Sequence, residues 1–110
     1  MSYSDKYNSV PEQNSFGRFI KEQRSLKMMT QNDLASMLGL NRTLIAKIEI
    51  NRVPFNYKRL DKLAEIFGAD LTEVKLKFYS WHFTSLIKEG GCPLKALDLA
   101  KANFKKPDLK

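Results

Sequence analysis

From Phe16 to Phe104 apolar residues recur at intervals of three and four, in runs broken by capping residues, glycines and prolines. No segment sustains the period of two that marks a strand, and no internal repeat is present. The pattern predicts an all-α fold of six helices. The first starts at Ser15, an acceptable N-cap, and runs through SFGRFIKEQRSLKM. Phe16, Phe19, Ile20, Gln23 and Leu26 lie along one stripe, with Arg18, Lys21, Glu22 and Lys27 facing outward. Thr30 opens the second helix, where Thr30-Gln31-Asn32-Asp33 has capping-box spacing with Asp in place of the usual Glu or Gln. Asn41 opens the third, which runs out near Ile50 and Asn51, Asn being second to Gly as a left-handed cap. Asn56 caps a fourth, YKRLDKLAEIF, with Leu60, Leu63, Ala64 and Phe67 inside and Gly68 at its end. Asp70 caps a long fifth, LTEVKLKFYSWHFTSLIKE, stopped by Gly90-Gly91. A sixth from about Pro93 carries Leu94, Leu97, Ala100 and Phe104 at helical spacing.

The segment QNDLASMLGLNRTLIAKIEI, residues 31 to 50, has the spacing of a helix-turn-helix. With Gln31 as first place, small or apolar residues fall at the fourth (Leu34), fifth (Ala35) and eighth (Leu38), and again at the tenth (Leu40), fifteenth (Ile45) and eighteenth (Ile48). Gly39 takes the ninth place, where a left-handed backbone lets one helix stop and the next begin. Ala35 is small because the second helix of the pair crosses close to it. Such a pair leaves the outer face of its second helix free for the major groove, so the spacing points to sequence-specific DNA binding.

Composition sharpens that reading. The 110 residues suit one domain, and their formal charge of +7 favours a polyanionic partner. Between Arg24 and Arg59 seven cations (Arg24, Lys27, Arg42, Lys47, Arg52, Lys58, Arg59) stand against Asp33 and Glu49 alone. No apolar run approaches the roughly 20 residues of a membrane helix, and the polar N-terminus lacks the apolar core of a secretory signal. A single cysteine, Cys92, forms no intrachain disulfide, and with the single histidine, His82, it makes a poor metal set. A reducing cytoplasm, no metal and no cofactor are expected. So is the absence of catalysis, for the chain has no nucleophile beside a base, no paired carboxylates and no phosphate-cradling glycine loop.

The blocks FGRFIKEQRSLKMMTQNDLASMLGLNRTLIAKIE and RLDKLAEIFGADLTEV, over residues 16 to 74, resemble the Cro/C1-type (XRE-like) helix-turn-helix family of lambda-type phage repressors. The resemblance implies a five-helix lambda-repressor-like domain that binds double-stranded operator DNA as a symmetric homodimer. It also implies a bacterial or phage-encoded protein of the cytoplasm, associated with the nucleoid. Carried over residue by residue, Gln31 would reach a phosphate or brace the recognition helix, which spans Asn41 to Glu49. Arg42 is the first choice for base readout, because a guanidinium can bond O6 and N7 of one guanine together. Thr43 would meet a thymine methyl or a phosphate, Ala46 a methyl, and Lys47 a base or a phosphate. Lys58 and the N–H groups at the start of the fourth helix would hold the DNA backbone. Arg24 and Glu49 resemble the family's structural ion pair between the first and third helices.

Against these readings, Arg42 and Lys47 on an amphipathic helix could be ordinary solvated residues. The chain also departs from the family pattern: Ile50 and Asn51 follow Glu49 where a polar residue and Gly are common, and Leu44 takes an outward place usual for Ser or Thr. The expected division is a flexible arm at 1–14, the DNA-binding domain at 15–74 and a helical extension at 75–110. In the arm, Tyr3, Lys6 and Tyr7 are candidates for minor-groove contact, although a loose terminus is the simpler reading. Phe78, Tyr79, Trp81, His82 and Phe83 wrap more than one face of the fifth helix, which calls for a cover. The expectation is that the sixth helix folds back over part of it and that dimerisation buries the rest. A ligand pocket at Trp81 and His82 and a reactive Cys92 are minor alternatives. The rival function is a protein-interaction module, for example an antitoxin whose C-terminal helices cover a partner protein.

Overall fold

The computed structural model describes residues 15–105. The proposed arm at 1–14 and the lysine-rich end lie outside the described residues. Among those described, six α-helices and no strand are present: α1 (Phe16–Leu26), α2 (Gln31–Leu38), α3 (Arg42–Glu49), α4 (Leu60–Phe67), α5 (Leu71–Lys88) and α6 (Lys95–Lys105).

Side-chain oxygens cap the helix starts as the sequence suggests. Ser15 Oγ accepts from Arg18 N–H at 3.1 Å, Asn41 Oδ1 from Leu44 N–H at 2.8 Å, and Asp70 Oδ2 from Glu73 N–H at 3.1 Å. The box at Thr30 closes in both directions despite its shorter acid: Asp33 N–H donates to Thr30 Oγ1 at 3.0 Å and Thr30 N–H to Asp33 Oδ2 at 2.9 Å. Left-handed residues end four of the first five helices or their caps: Met28 (φ 57°), Gly39 (φ 72°), Asn51 (φ 63°) and Gly68 (φ 62°).

One core unites the first five helices. Phe16 and Ile20 of α1 meet Leu34, Ala35 and Leu38 of α2, Ile45 and Ile48 of α3, and Leu60, Leu63, Ala64 and Phe67 of α4. Phe55 fills the loop side, and Val74 fixes α5 beneath. Each of the larger side chains among these contributes about 1.5–3 kcal/mol of burial free energy, so the assembly holds α2 and α3 in one geometry. Phe78 extends the anchorage of α5, its ring edge-on to Phe16 at 5.2 Å, and Trp81 packs against the same core.

Four expectations are corrected. Leu26 is 75% exposed, because the inner stripe of α1 leaves the core at Gln23 and the chain brings Met29 in instead. Asn56 caps a single 3₁₀ turn, Tyr57–Arg59, by accepting from Lys58 N–H at 2.9 Å, and the α-helix proper begins only at Leu60. Leu44 is half-buried against the core, so it is not the exposed contact its position suggested. Lastly, α6 does not fold back as a cover. It carries no buried residue, and the radius of gyration of 16.1 Å exceeds the roughly 12–13 Å of a compact chain this size.

Candidate nucleic-acid interface

The reading head is α3 with the elements that hold it. At about 100° per residue, Ile45, Ile48 and Leu44 turn inward, which sets Arg42, Thr43, Ala46 and Lys47 along the opposite side. Arg42, Thr43 and Lys47 are exposed, while Ala46 is half-buried and forms a low floor between them. Asn41 is exposed but its Oδ1 is committed to the cap, which leaves its amide N–H₂ facing outward chemistry.

Beneath this surface a charged network locks the helix orientation. Glu49, at the C-terminal end of α3, receives Arg24 Nε at 2.6 Å and Arg24 Nη2 at 3.1 Å in a two-pronged pair. Gln31 Nε2 donates to the same carboxylate at 3.0 Å. Arg24 Nη1 also reaches the Met29 carbonyl at 2.8 Å, tying in the α1–α2 turn. The side chains of Arg24 and Glu49 are 13% and 2% exposed, so the pair sits where unpaired charge is expensive. Of the two roles the sequence left open for Gln31, the geometry is that of the brace.

Two further ties were not anticipated. Gly17 N–H donates to Asn51 Oδ1 at 3.1 Å, so Asn51 both turns the chain after α3 and satisfies a donor in the first turn of α1. The backbones meet closely there: a Cβ on Gly17 would lie 2.7 Å from the Glu49 carbonyl and crowd that of Ile48. Arg59 Nη1 donates to the Leu38 carbonyl at 2.7 Å and satisfies an orphan acceptor at the end of α2. A glycine one helix away from an Asn in an α3 exit is a faint sequence signal, and Arg59 offered none beyond its charge.

Of the seven cations in this stretch, Arg24 and Arg59 are therefore structural. Arg42, Lys47, Arg52 and Lys58 are exposed and form no ion pair among the described residues. Lys58 sits in the 3₁₀ turn after the recognition helix, with its own N–H consumed by Asn56, so its ammonium rather than its amide is available to an anion. The N–H groups that lead into α4 are partly spent in the same way, Arg59 N–H donating to the Asn56 carbonyl at 2.9 Å. Asp33 belongs to the capping box that opens α2. The Thr30 backbone N–H, then its hydroxyl, hold the carboxyl below the ordinary aspartate value.

The aromatic stretch of α5 separates into two sides. Phe78 and Trp81 pack inward, whereas Tyr79, His82 and Phe83 are exposed, with His82 stacked on Phe78 at 6.2 Å. Among the described residues no His, Cys, Asp and Glu cluster suits a metal ion, and no helix is long and apolar enough to cross a membrane.

Comparison with known proteins agrees with this geometry. A family model described as a helix-turn-helix domain matches residues 17–78, from the first turn of α1 to the middle of α5. The ImmF control region 10 kDa protein of Bacillus phage phi105 is 31% identical over 75 residues, covering 68% of this chain and 78% of that protein.

Proposed function

The chain belongs to the Cro/C1-type helix-turn-helix domain family of DNA-binding regulators, and from that premise we propose that it is a repressor that occupies a palindromic operator as a homodimer. The observation that carries this reading is the braced α3, whose outer side presents Arg42, Thr43, Ala46 and Lys47 while Glu49 fixes its other end to α1 and α2. The phage relative is named for a control region, which supports a regulatory role.

In this reading Arg42 reads a guanine, Thr43 and Ala46 meet methyl groups or the sugar–phosphate edge, and Lys47 contacts a base or phosphate. Asn41 donates from its free amide at the helix start. Lys58 holds a phosphate, and Gln31 acts through Glu49 on the pose of α3. Exposed Arg52 adds to the non-specific attraction, which makes affinity fall steeply with salt. No step requires catalysis, a cofactor or a metal. Binding to the operator excludes polymerase by occupancy.

Fluorescence anisotropy with a selected operator tests the assignment. Arg42→Ala should cost about 1–3 kcal/mol and relax one base preference. Lys58→Ala should weaken all sequences alike and reduce the salt slope by about one. An Arg42→Ala protein with unchanged affinity and preference would overturn this placement of the reading head. The apolar outer side of α5 favours a second reading, a module for a partner protein, which would show as an unrelated chain bound in fixed stoichiometry.

A further inference from the structure

On its outer side, the exit of α3 is held to α1 by hydrogen bonds rather than by packing. An open cleft of about 670 Å³ runs between α1 and the residues that follow α3, Ile50 and Asn51. The two apolar residues on its rim, Leu26 and Ile50, are 75% and 60% exposed. With this space open, apolar contact does not restrain the helix end from that side. Two polar ties do so instead. One is the Arg24–Glu49 pair; the other, seven residues back along α1, is the bond from Gly17 N–H to Asn51 Oδ1 at 3.1 Å. Their anchor points on α1 lie about 10 Å apart along its axis. Asn51 is itself firmly joined to α3: its N–H donates to the Ile48 carbonyl at 3.0 Å, and the next N–H, of Arg52, to the Lys47 carbonyl at 2.9 Å. Its left-handed backbone, φ 63°, is one that glycine adopts at less cost, so the turn alone gives no reason for an asparagine. The acceptor on its side chain does. Gly17 completes the match, since a Cβ there would lie 2.7 Å from Asn51 Oδ1 and 2.7 Å from the Glu49 carbonyl.

We propose that Asn51 is a positioning residue of the reading head: through Gly17 it fixes the tilt of α3, and so sets discrimination between DNA sequences rather than general affinity for DNA. The inference rests on the reading of α3 as the recognition helix and adds a residue that acts on it without touching a base. A tie at Glu49 alone leaves α3 free to pivot about that end. Arg42 stands seven residues away, about 10 Å along the axis, so a pivot of about 5° carries it roughly 1 Å. That exceeds the window of about 0.5 Å within which N–H···O bonds form. The paired bonds from one guanidinium to one guanine are the contact most exposed to such a shift. An ammonium on a flexible stem, as at Lys58, follows a phosphate through the same shift with little loss. The second tie, two turns along α1 from the first, removes the pivot.

Fluorescence anisotropy with the full chain, on a selected operator and on a shuffled duplex of equal length, gives the ratio of the two affinities. Asn51→Gly keeps the left-handed backbone and removes only the acceptor. It should lower operator affinity about 3- to 30-fold and leave affinity for the shuffled duplex within about twofold. The salt slope should not change, because no phosphate contact is lost. The melting temperature should stay within about 4–8 °C of wild type, the shift expected of one hydrogen bond. Asn51→Asp retains the acceptor, and its added charge acts on both duplexes alike, so the ratio should return to within about twofold of wild type. Amide hydrogen exchange followed by NMR reads the bond directly: protection of the Gly17 N–H should be lost in Asn51→Gly and kept in Asn51→Asp. If the wild type discriminates and Asn51→Gly discriminates equally well, the positioning role is overturned while the reading of α3 stands. Equal losses on both duplexes with a shallower salt slope would make Asn51 a phosphate ligand and overturn the role too, as would a melting-temperature drop well beyond that range. A wild type with no preference between the duplexes overturns both this role and the reading of α3.

Discussion

Replacing Glu49 by alanine removes a carboxylate that accepts three hydrogen bonds, two from Arg24 and one from Gln31. The Arg24 guanidinium would then remain 13% exposed with its charge uncompensated, keeping only its bond to the Met29 carbonyl. Breaking one partner of a buried pair costs about 3–5 kcal/mol; the small residual access to water for Arg24 places Glu49→Ala near the lower end, about 3 kcal/mol. For a domain this size that lowers the melting temperature by roughly 10–20 °C. Arg24→Ala should cost at least as much, because it strands a carboxylate that is only 2% exposed. The double variant Arg24→Met with Glu49→Leu should be more stable than either single one, since it removes both charges and refills the space. Urea unfolding followed by circular dichroism measures all four proteins, with the m-value checked for constancy. Single substitutions that each cost under about 1 kcal/mol, or a double variant no more stable than either single one, would refute the argument that the pair is a buried, coupled brace.

Three other substitutions probe the scaffold. Gly17→Ala should destabilise by about 2–3 kcal/mol, because its Cβ would crowd the backbone at the end of α3 and displace the Asn51 bond; a neutral result in urea titration would contradict the close approach. Met28, left-handed and 90% exposed at the end of α1, pays for a conformation that glycine adopts freely, so Met28→Gly should raise stability by about 1 kcal/mol by the same assay. Asp33 is held below its ordinary value of 3.8, so its ionised form contributes stability above that value and loses it as pH falls through the lower folded value. The advantage of wild type over Asp33→Asn should therefore be constant near neutral pH and shrink below pH 3.8; a difference independent of pH would contradict the ionic part of the cap.

What the sequence reveals here is what local chemistry decides. Thr30, Asn41 and Asp70 lie within three residues of the N–H groups they cap, and Gly39 and Gly68 adopt the left-handed turn their neighbours leave to them. The helix-turn-helix was legible because its apolar positions and its turn sit within twenty residues of each other. Contacts between distant segments were less so. The Arg24–Glu49 pair came from family resemblance, while Asn51 capping α1 and Arg59 reaching the Leu38 carbonyl depend on helix placement that periodicity does not encode. Leu26 shows the same limit, since a residue can hold its helical stripe and still project past the end of the surface it faces. For α6, spacing identified an apolar face but carried no information on what that face meets.

The central claim concerns Arg42 and its neighbours on α3, and selection of bound DNA from a random-sequence pool at near-physiological salt tests it most directly. The account predicts enrichment of a palindrome with half-sites about one helical turn apart, containing a guanine whose preference is lost with Arg42→Ala. Binding that is salt-sensitive but enriches no sequence would contradict it.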